Sequence, residues 1–190
     1  VKASGKMRHR FSKEETDSLR ELMICGRPDW EVLFSLYQEK RLNPMSYLQS
    51  EEFLDILTKS CLTHYPYIAF ADAFHTMRSM LLPVLYLLGT EVPKADVYHA
   101  ICTGYGGMLA CLGGWMYQKK VLLTEHGIYT REREEEIIRA KWVVPSFKKQ
   151  WISFFYMLSD IIYRRAFQVT CLFTNAMLIQ IQLGCDAKKC

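Results

Sequence analysis

The chain has 190 residues, half of them hydrophobic and 13% aromatic, which suits one domain with a packed core and excludes wholesale disorder. With 24 basic and 20 acidic residues, its net charge of +4 is too balanced for a dedicated nucleic-acid-binding protein, so we expect no nucleic acid partner. The longest apolar stretches fall short of the ~20 residues that span a bilayer, and no signal peptide opens the chain. These features predict a soluble, cytoplasmic protein.

Seven cysteines occur at irregular spacings and without a C-x-x-C pair. A disulfide scaffold normally has an even number of cysteines, and a structural zinc site needs closely spaced ligands. The pattern therefore predicts reduced thiols and no metal site, in keeping with a cytoplasmic setting.

The amino-terminal part of the chain has helical patterning. Ser12 is placed to cap a first helix, with Glu15 completing a capping box. Asp29 is placed to cap a second helix and Ser50 to lead a third, each just ahead of apolar residues at helical spacing. We therefore predict that residues 1–66 form a helical portion.

A long apolar helix is predicted next, over the segment FADAFHTMRSMLLPVLYLLG. Phe70, Phe74, Met77 and Leu81 repeat at helical spacing within it. Pro83 lacks a backbone N–H group, so we expect it to kink or divide this helix.

Beyond residue 94 the pattern changes to alternating strands and helices. Short apolar, β-branched runs predict strands near 95–102, 120–126 and 168–173, each followed by helical patterning. This alternation is typical of a parallel sheet with right-handed crossovers, so residues 94–190 are predicted to form β-α repeats of the α/β class.

The first of these repeats contains the glycine-rich segment TGYGGMLACLGG, residues 103–114. A dinucleotide fingerprint would need glycine at position 109, where the chain has leucine, so the segment is a weak phosphate loop. The alternative is that its glycines allow a helix to lie close on the sheet. A helix N-terminus that binds a ligand hydroxyl or phosphate also stays open.

Two histidines follow or end predicted strands. His99 lies near the end of the first strand, and His126 ends the second. Because ligands of open α/β sheets bind beyond the carboxyl ends of the strands, neighbouring strands would place both histidines in one crevice.

The charged segment after His126 has both a local and a functional interpretation. Thr130 is placed to cap the following helix, and Glu135 can pair with Arg131 and Arg139 one turn away. That local interpretation does not account for Tyr129 and the pair Arg131 and Arg133 coming directly after a strand-end histidine. Arginine side chains hold carboxylates, phosphates and sugar hydroxyls well.

Three stretches carry a family resemblance. The segments RSMLLPVLYLLGTEVPKADVYHAICTGYGGMLACL and LLTEHGIYTRERE resemble the amino-terminal half of PelF-type glycosyltransferases, retaining enzymes with the GT-B architecture. The third, LFTNAMLIQIQLGCDAKK at residues 172–189, resembles the segment of these enzymes that leads towards the crossing between their two domains. The resemblance covers roughly residues 70–190. It implies a Rossmann-like α/β fold and the transfer of a sugar from a nucleotide sugar, with a UDP-sugar as the expected donor, to an exopolysaccharide acceptor. The donor is a substrate, and no cofactor is implied.

The same resemblance assigns site residues. His126 matches the strand-end histidine that reaches the transferred sugar, which makes it the candidate catalytic residue. The candidate substrate-binding residues are His99, Thr103, Tyr105, Glu125, Gly127, Tyr129, Arg131, Glu132 and Arg133.

The chain departs from this family at both ends. It lacks the family's opening strand and glycine loop and the whole carboxy-terminal domain, so residues 1–190 are expected to be a single partial, acceptor-side domain, inactive alone. That missing domain, the donor and a saccharide acceptor are its expected partners. A sheet of three strands would also leave an edge or face that the first three helices or another chain could shield.

Three alternatives stay open on the residues alone. The chain could be a non-catalytic interaction module or, resting on its glycine-rich segment, a free-standing nucleotide-binding protein. The basic and aromatic segment 146–165 could contact an anionic membrane or an export complex, although a core helix with basic ends is the plainer account.

Overall fold

A computed structural model describes residues 11–190, so the first ten residues of the predicted helical portion, 1–66, lie outside the described residues. The chain forms two compact units, and the boundary between them in the sequence falls between Thr90 and Glu91. None of the helices described from residue 11 onward has the length and apolar character needed to cross a bilayer.

Five helices form the first unit in its described part. Helices α1 to α4 each begin behind a polar residue whose side chain accepts backbone N–H groups of the first turn, namely Ser12, Asp29, Asn43 and Ser50. The predicted caps Ser12, Asp29 and Ser50 are confirmed, as is the capping box with Glu15. The helices are α1 (Lys13–Met23), α2 (Trp30–Gln38), α3 (Pro44–Leu48), α4 (Glu51–His64) and α5 (Phe70–Leu88).

The first unit also departs from the sequence pattern. The short helix α3, capped by Asn43, precedes α4 and was not predicted from the sequence. Ser50 makes the break, because its hydroxyl donates to the carbonyl of Tyr47 and accepts the N–H of Phe53. Pro83 does not divide α5, which runs unbroken with the proline on its exposed side.

The second unit is a three-stranded parallel sheet with helices after each strand. Its elements are β1 (Val97–Ala100), α6 (Gly104–Tyr117), β2 (Lys120–Glu125), α7 (Tyr129–Arg139), α8 (Lys148–Arg165), β3 (Gln168–Cys171) and α9 (Thr174–Gln182). The strand order is β1-β2-β3, and both pairs are parallel. The predicted α/β, Rossmann-like fold with a helix-rich amino-terminal part is therefore confirmed.

One face of this sheet is covered. Helices α6 and α8 pack there against each other and against β2. The strand residues that alternate towards them are buried, including Tyr98, Val121, Leu123 and Val169.

Glycines permit the close approach of α6, as one interpretation of the glycine-rich segment predicted. A Cβ at Gly113 would lie 2.5 Å from the ring of Tyr98, and one at Gly114 would lie 2.5 Å from Val121. On the other side of α6, a Cβ at Gly107 would press on Ile162 of α8 at 3.0 Å.

The opposite face of the sheet is open. Residues of alternate parity, such as Val97, His99 and Thr170, are exposed, and Leu122 and Thr124 are partly exposed. Parallel sheets are normally covered on both faces, so this uncovered side is an unusual property of the second unit. Helix α8, in contrast, buries Trp151, Phe154 and Phe155 in the unit's core, and these rings are not available to a membrane.

Candidate functional site

The carboxyl edge of the sheet brings together the starts of three helices. None of the three residues before these helices makes a side-chain cap hydrogen bond, in contrast to α1 to α4; they are Thr103, Ile128 and Phe173. Backbone N–H groups at such helix starts carry partial positive charge and favour anionic or hydroxyl-bearing ligands. The prediction that Thr130 caps α7 is wrong, because the helix already begins at Tyr129 and Thr130 is buried within its first turn.

Glu125 ends the central strand as a buried hydrogen-bonding centre. Its side chain is 2% exposed, and one carboxylate oxygen accepts the backbone N–H of Tyr129 at 3.2 Å. The other oxygen accepts the hydroxyl of Tyr163 at 2.7 Å and the amide N–H of Gln180 at 2.9 Å. Glu125 therefore ties the end of β2 to α7, α8 and α9, so in this geometry the predicted substrate-binding glutamate acts on the scaffold.

Tyr163 is affected in turn. Burial raises the pKa of the Tyr163 hydroxyl far above its ordinary value, and the nearby Glu125 carboxylate adds to the shift through its charge and the hydrogen bond. The phenol therefore stays protonated and continues to donate to Glu125 over any physiological pH.

His126 has the opposite environment to Glu125. It lies directly after β2, is exposed, and its ring makes no hydrogen bond to any residue in the described range 11–190. Beside it, the carboxylate of Glu132 lies so close over Gly127 that a Cβ there would collide with it. The chain thus places an exposed imidazole at the carboxyl end of the central strand and a carboxylate over the residue that follows it.

The ring of Tyr129 packs against the start of α6, close in sequence to His126. This ring lies on Gly104, where the backbone has φ of +67° and an added Cβ would be 2.5 Å from a ring carbon. The guanidinium of Arg133 lies 5.4 Å from the centre of the same ring and pairs with Glu136 at 2.6 Å. Burial raises the pKa of Tyr129, and the positive charge of Arg133 opposes that rise.

Thr103 and Tyr105 serve mainly to pack α6 against α8. Thr103 is 1% exposed, and its hydroxyl is hydrogen-bonded to that of Ser159 at 2.8 Å. The ring of Tyr105 meets Phe154 and Phe155 edge to face, and burial, with a smaller contribution from Tyr129, raises its pKa to about 12.

Arg131 and Glu132 remain exposed on the first turn of α7. Of the two predicted ion pairs on this helix, Glu135 with Arg139 is present at 3.3 Å. The side chains of the segment that face outward at the edge are therefore those of His126, Arg131 and Glu132.

A shallow depression adjoins this outward-facing group. It measures about 510 Å³ and is lined by Glu132, Glu135, Glu136, Arg139, Ala140 and Trp142. Trp142 is 65% exposed, and its ring meets Trp151 edge to face at 5.5 Å, which holds the indole in place. An exposed indole beside carboxylates offers both an apolar surface and hydrogen-bond acceptors to a ligand.

His99 lies on the open face of the sheet. Its Nε2 atom lies 2.8 Å from the hydroxyl of Thr124, and that hydroxyl lies 2.7 Å from the hydroxyl of Thr170. These three side chains form a polar row across all three strands. The sequence analysis did not identify either threonine. Both point to the same face of the sheet, but the register that pairs them cannot be read from the sequence.

The register also separates the two histidines. The strands β1 and β2 are neighbours, but His99 pairs with Leu122, four residues before His126. At about 3.3 Å per residue, this places them roughly 13 Å apart along the strand direction. They share the open side of the sheet but not the same level of the carboxyl edge.

Among residues 11–190, no group of three or more histidine, cysteine, aspartate or glutamate side chains is placed to hold a metal ion.

The fold and its carboxyl edge define an α/β protein with a Rossmann-like parallel sheet. Over residues 2–188 the sequence matches the family described as Domain of unknown function (DUF3492), and the chain belongs to this family. No curated protein and no solved structure shows a significant similarity to it.

Proposed function

We propose that the chain is the acceptor-side domain of a retaining glycosyltransferase of the PelF type, which transfers a sugar from a UDP-sugar to an exopolysaccharide. The observation that carries this proposal is the exposed, unbonded ring of His126 at the carboxyl end of the central strand. Ligands of open α/β sheets bind at this end. Two further facts support it: domains of this family occur in glycosyltransferases, and the chain resembles PelF-type enzymes around His126.

Each side chain of the edge has a role in this reaction. Transfer breaks the bond between the anomeric carbon and the phosphate oxygen, the acceptor oxygen bonds to that carbon, and the proton of the acceptor hydroxyl passes to the departing diphosphate. His126 would hydrogen-bond the sugar being transferred, and Arg131 would attract the negative charge that develops on the departing diphosphate. Glu125 and Tyr129 hold the turn that aims His126, so they are positioning residues.

The depression beside α7 suits the acceptor. A sugar ring has an apolar face and a rim of hydroxyls, which correspond to the exposed indole of Trp142 and the carboxylates of Glu132 and Glu135. Because Glu132 also lies over Gly127, the depression begins where the His126 turn ends. A saccharide lying there would direct its end towards His126.

A calorimetric titration tests the division of labour between donor and acceptor. UDP and UDP-glucose titrated into the chain are expected to give no saturable heat, since the proposal places the nucleotide on the second domain. Stoichiometric binding that His126→Ala abolishes would refute an acceptor-side assignment. The same result would favour the free-standing nucleotide-binding alternative.

Saccharide binding tests the acceptor site directly. Saturation-transfer NMR with tetrasaccharides of β-1,4-linked glucose and N-acetylglucosamine is expected to show contact with at least one of them. His126→Ala and Trp142→Ala should each weaken that binding by about tenfold, the equivalent of one good contact. His75→Ala, which removes an exposed histidine from α5 in the first unit, should leave it unchanged. No binding of either saccharide, or equal loss in all three variants, would contradict the proposal.

The open sheet face favours a second candidate, a non-catalytic interaction module. Large apolar side chains are exposed on it or at its margins, including Val97, Ile101, Phe167 and Leu172. If this face pairs with a second copy of the chain, sedimentation velocity should show a concentration-dependent dimer that Ile101→Lys disrupts. A strictly monomeric chain would remove the support for this form of the alternative.

A further inference from the structure

The carboxy-terminal turn of the described chain brings two thiols into contact. Cys185 follows α9 and Cys190 lies five residues later, with a sulfur-to-sulfur distance of 3.5 Å. Cys185 is 4% exposed, whereas Cys190 is exposed. Such a pair has one sulfur that a solution reagent can reach and a second sulfur held directly behind it.

The turn that joins them is fixed by several hydrogen bonds. Asp186 caps the short 3-10 helix Ala187–Lys189 by accepting the backbone N–H of Lys188 at 3.0 Å. The ammonium group of Lys189 donates to the carbonyls of Tyr163 and Arg164 at the end of α8, at 3.3 and 2.6 Å. The sulfur atoms are therefore held near each other by the fold and not only by their closeness in sequence.

We propose that Cys185 and Cys190 form a reversible intramolecular disulfide when the chain meets a disulfide oxidant such as oxidised glutathione. The Cys190 thiolate attacks one sulfur of the oxidant, forms a mixed disulfide and releases one glutathione thiolate. The Cys185 thiolate then attacks the sulfur of Cys190 and expels the second glutathione. Two protein thiols are oxidised, one disulfide of the oxidant is reduced to two thiols, and the two protons leave with the glutathione.

The order of attack follows from the environment of each sulfur. Burial raises the pKa of Cys185 to about 12, and the adjacent Cys190 thiol adds to the shift, so Cys185 is rarely a free thiolate at neutral pH. Cys190, in contrast, faces solvent and meets the oxidant first. Closing the bond requires the sulfurs to approach to about 2.05 Å, a movement that side-chain rotation within the turn can supply.

The bond would fix the turn against the end of α8. The backbone carbonyl that Lys189 holds belongs to Tyr163, whose hydroxyl donates to Glu125 at the base of the candidate site. Oxidation would therefore modify the chain next to the backbone of Tyr163, whose hydroxyl contacts Glu125. The proposal does not depend on the glycosyltransferase assignment, since it concerns only the two thiols.

The test is oxidation of the whole chain in glutathione buffers of rising oxidised fraction, at low protein concentration. Free thiols are then blocked, and proteolytic peptides are analysed by mass spectrometry. We expect a Cys185–Cys190 link, reversed by reduced glutathione. A chain that forms no such link in fully oxidised glutathione overturns the proposal.

Single substitutions separate this pair from the other cysteines. Cys185→Ser should trap glutathione on Cys190, which shows that Cys190 is the entry point. Cys61→Ser, in the first unit, should leave the Cys185–Cys190 link unchanged and serves as the matched control. If glutathione is trapped on Cys185 in a Cys190→Ser chain as readily as on Cys190 in Cys185→Ser, the proposed order of attack is wrong. Far-UV circular dichroism checks that each variant is folded.

Discussion

Gly104→Ala tests the junction on which the candidate site rests. The backbone of Gly104 has φ of +67°, and a Cβ there would lie 2.5, 2.7 and 2.9 Å from three atoms of the Tyr129 ring. A left-handed conformation costs a non-glycine residue about 1–2 kcal/mol, and overpacking a filled site costs about 1–3 kcal/mol. The sum predicts a loss of about 2–5 kcal/mol in the free energy of unfolding.

The assay must report on the second unit alone. In a Trp30→Phe background the three remaining tryptophans lie in that unit, so their fluorescence during urea unfolding reports its stability. The matched control is Gly106→Ala, two residues along α6, where an added Cβ meets only a cysteine sulfur at 3.3 Å and φ is not positive. The control should be neutral or slightly stabilising, since alanine favours a helix over glycine by up to about 1 kcal/mol.

A double mutant separates the two causes. In a Tyr129→Ala background the clash disappears and only the backbone strain remains, so Gly104→Ala should then cost about 1–2 kcal/mol. If Gly104→Ala is as stable as the parent, or costs the same with and without the Tyr129 ring, the reasoning about this junction is refuted.

Two further predictions concern carboxylates. Glu125→Gln should destabilise the second unit by about 1–3 kcal/mol, because a neutral amide then replaces a buried, charged acceptor of three hydrogen bonds. The exposed Glu135→Gln should cost at most about 0.5 kcal/mol, and equal costs in urea unfolding would contradict the buried centre. In the first unit, burial would raise the pKa of Glu15, but hydrogen bonds and charge from Lys40 and the backbone of Ser12 outweigh it and hold the pKa below its ordinary value. The stability that Glu15 contributes should therefore be complete above the ordinary carboxyl pKa of 4.5 and be lost as the pH falls below it. The difference in unfolding free energy between the parent and Glu15→Gln should then become smaller in acid. A difference that is independent of pH would contradict this.

Local signals in the sequence predicted most of the fold. Ser12, Asp29 and Ser50 were recognisable as caps because a short polar side chain stands just before an apolar helical pattern. Strand positions followed from short β-branched runs between glycines and charged residues. Thr130 was assigned wrongly as a cap because its residue type suits that role, whereas the helix begins at Tyr129, whose N–H donates to Glu125 four residues earlier. Glu125 can accept that bond because it is buried, and the residue type alone does not show its burial.

The candidate site was less predictable because it depends on distances across the sheet. The histidines lie in neighbouring strands as expected, but their levels depend on the register, which no local pattern specifies. The polar row of His99, Thr124 and Thr170 arises from the same register. Gln180, which contacts Glu125, comes from a helix 55 residues away and carries no local sign of that role.

In the loop from β2 to α7, the adjacent residues Glu125 and His126 have different roles. At the end of a strand, successive side chains alternate in direction, so Glu125 turns inward and His126 outward. An exposed histidine on a mobile loop would lose its orientation. Here Glu125, directly before His126, is held by three hydrogen bonds, and the ring of Tyr129, three residues after it, is held against Gly104. Under the proposed function, positioning would supply much of the rate of sugar transfer, so a buried carboxylate that only holds the turn would matter as much as the histidine. Glu125→Gln should therefore weaken saccharide binding in proportion to the disorder of the His126 turn, which the NMR line width of the His126 ring would measure. Weakened binding with an unchanged His126 resonance would mean that Glu125 acts on the ligand itself, and the assignment of Glu125 as a positioning residue would then be wrong.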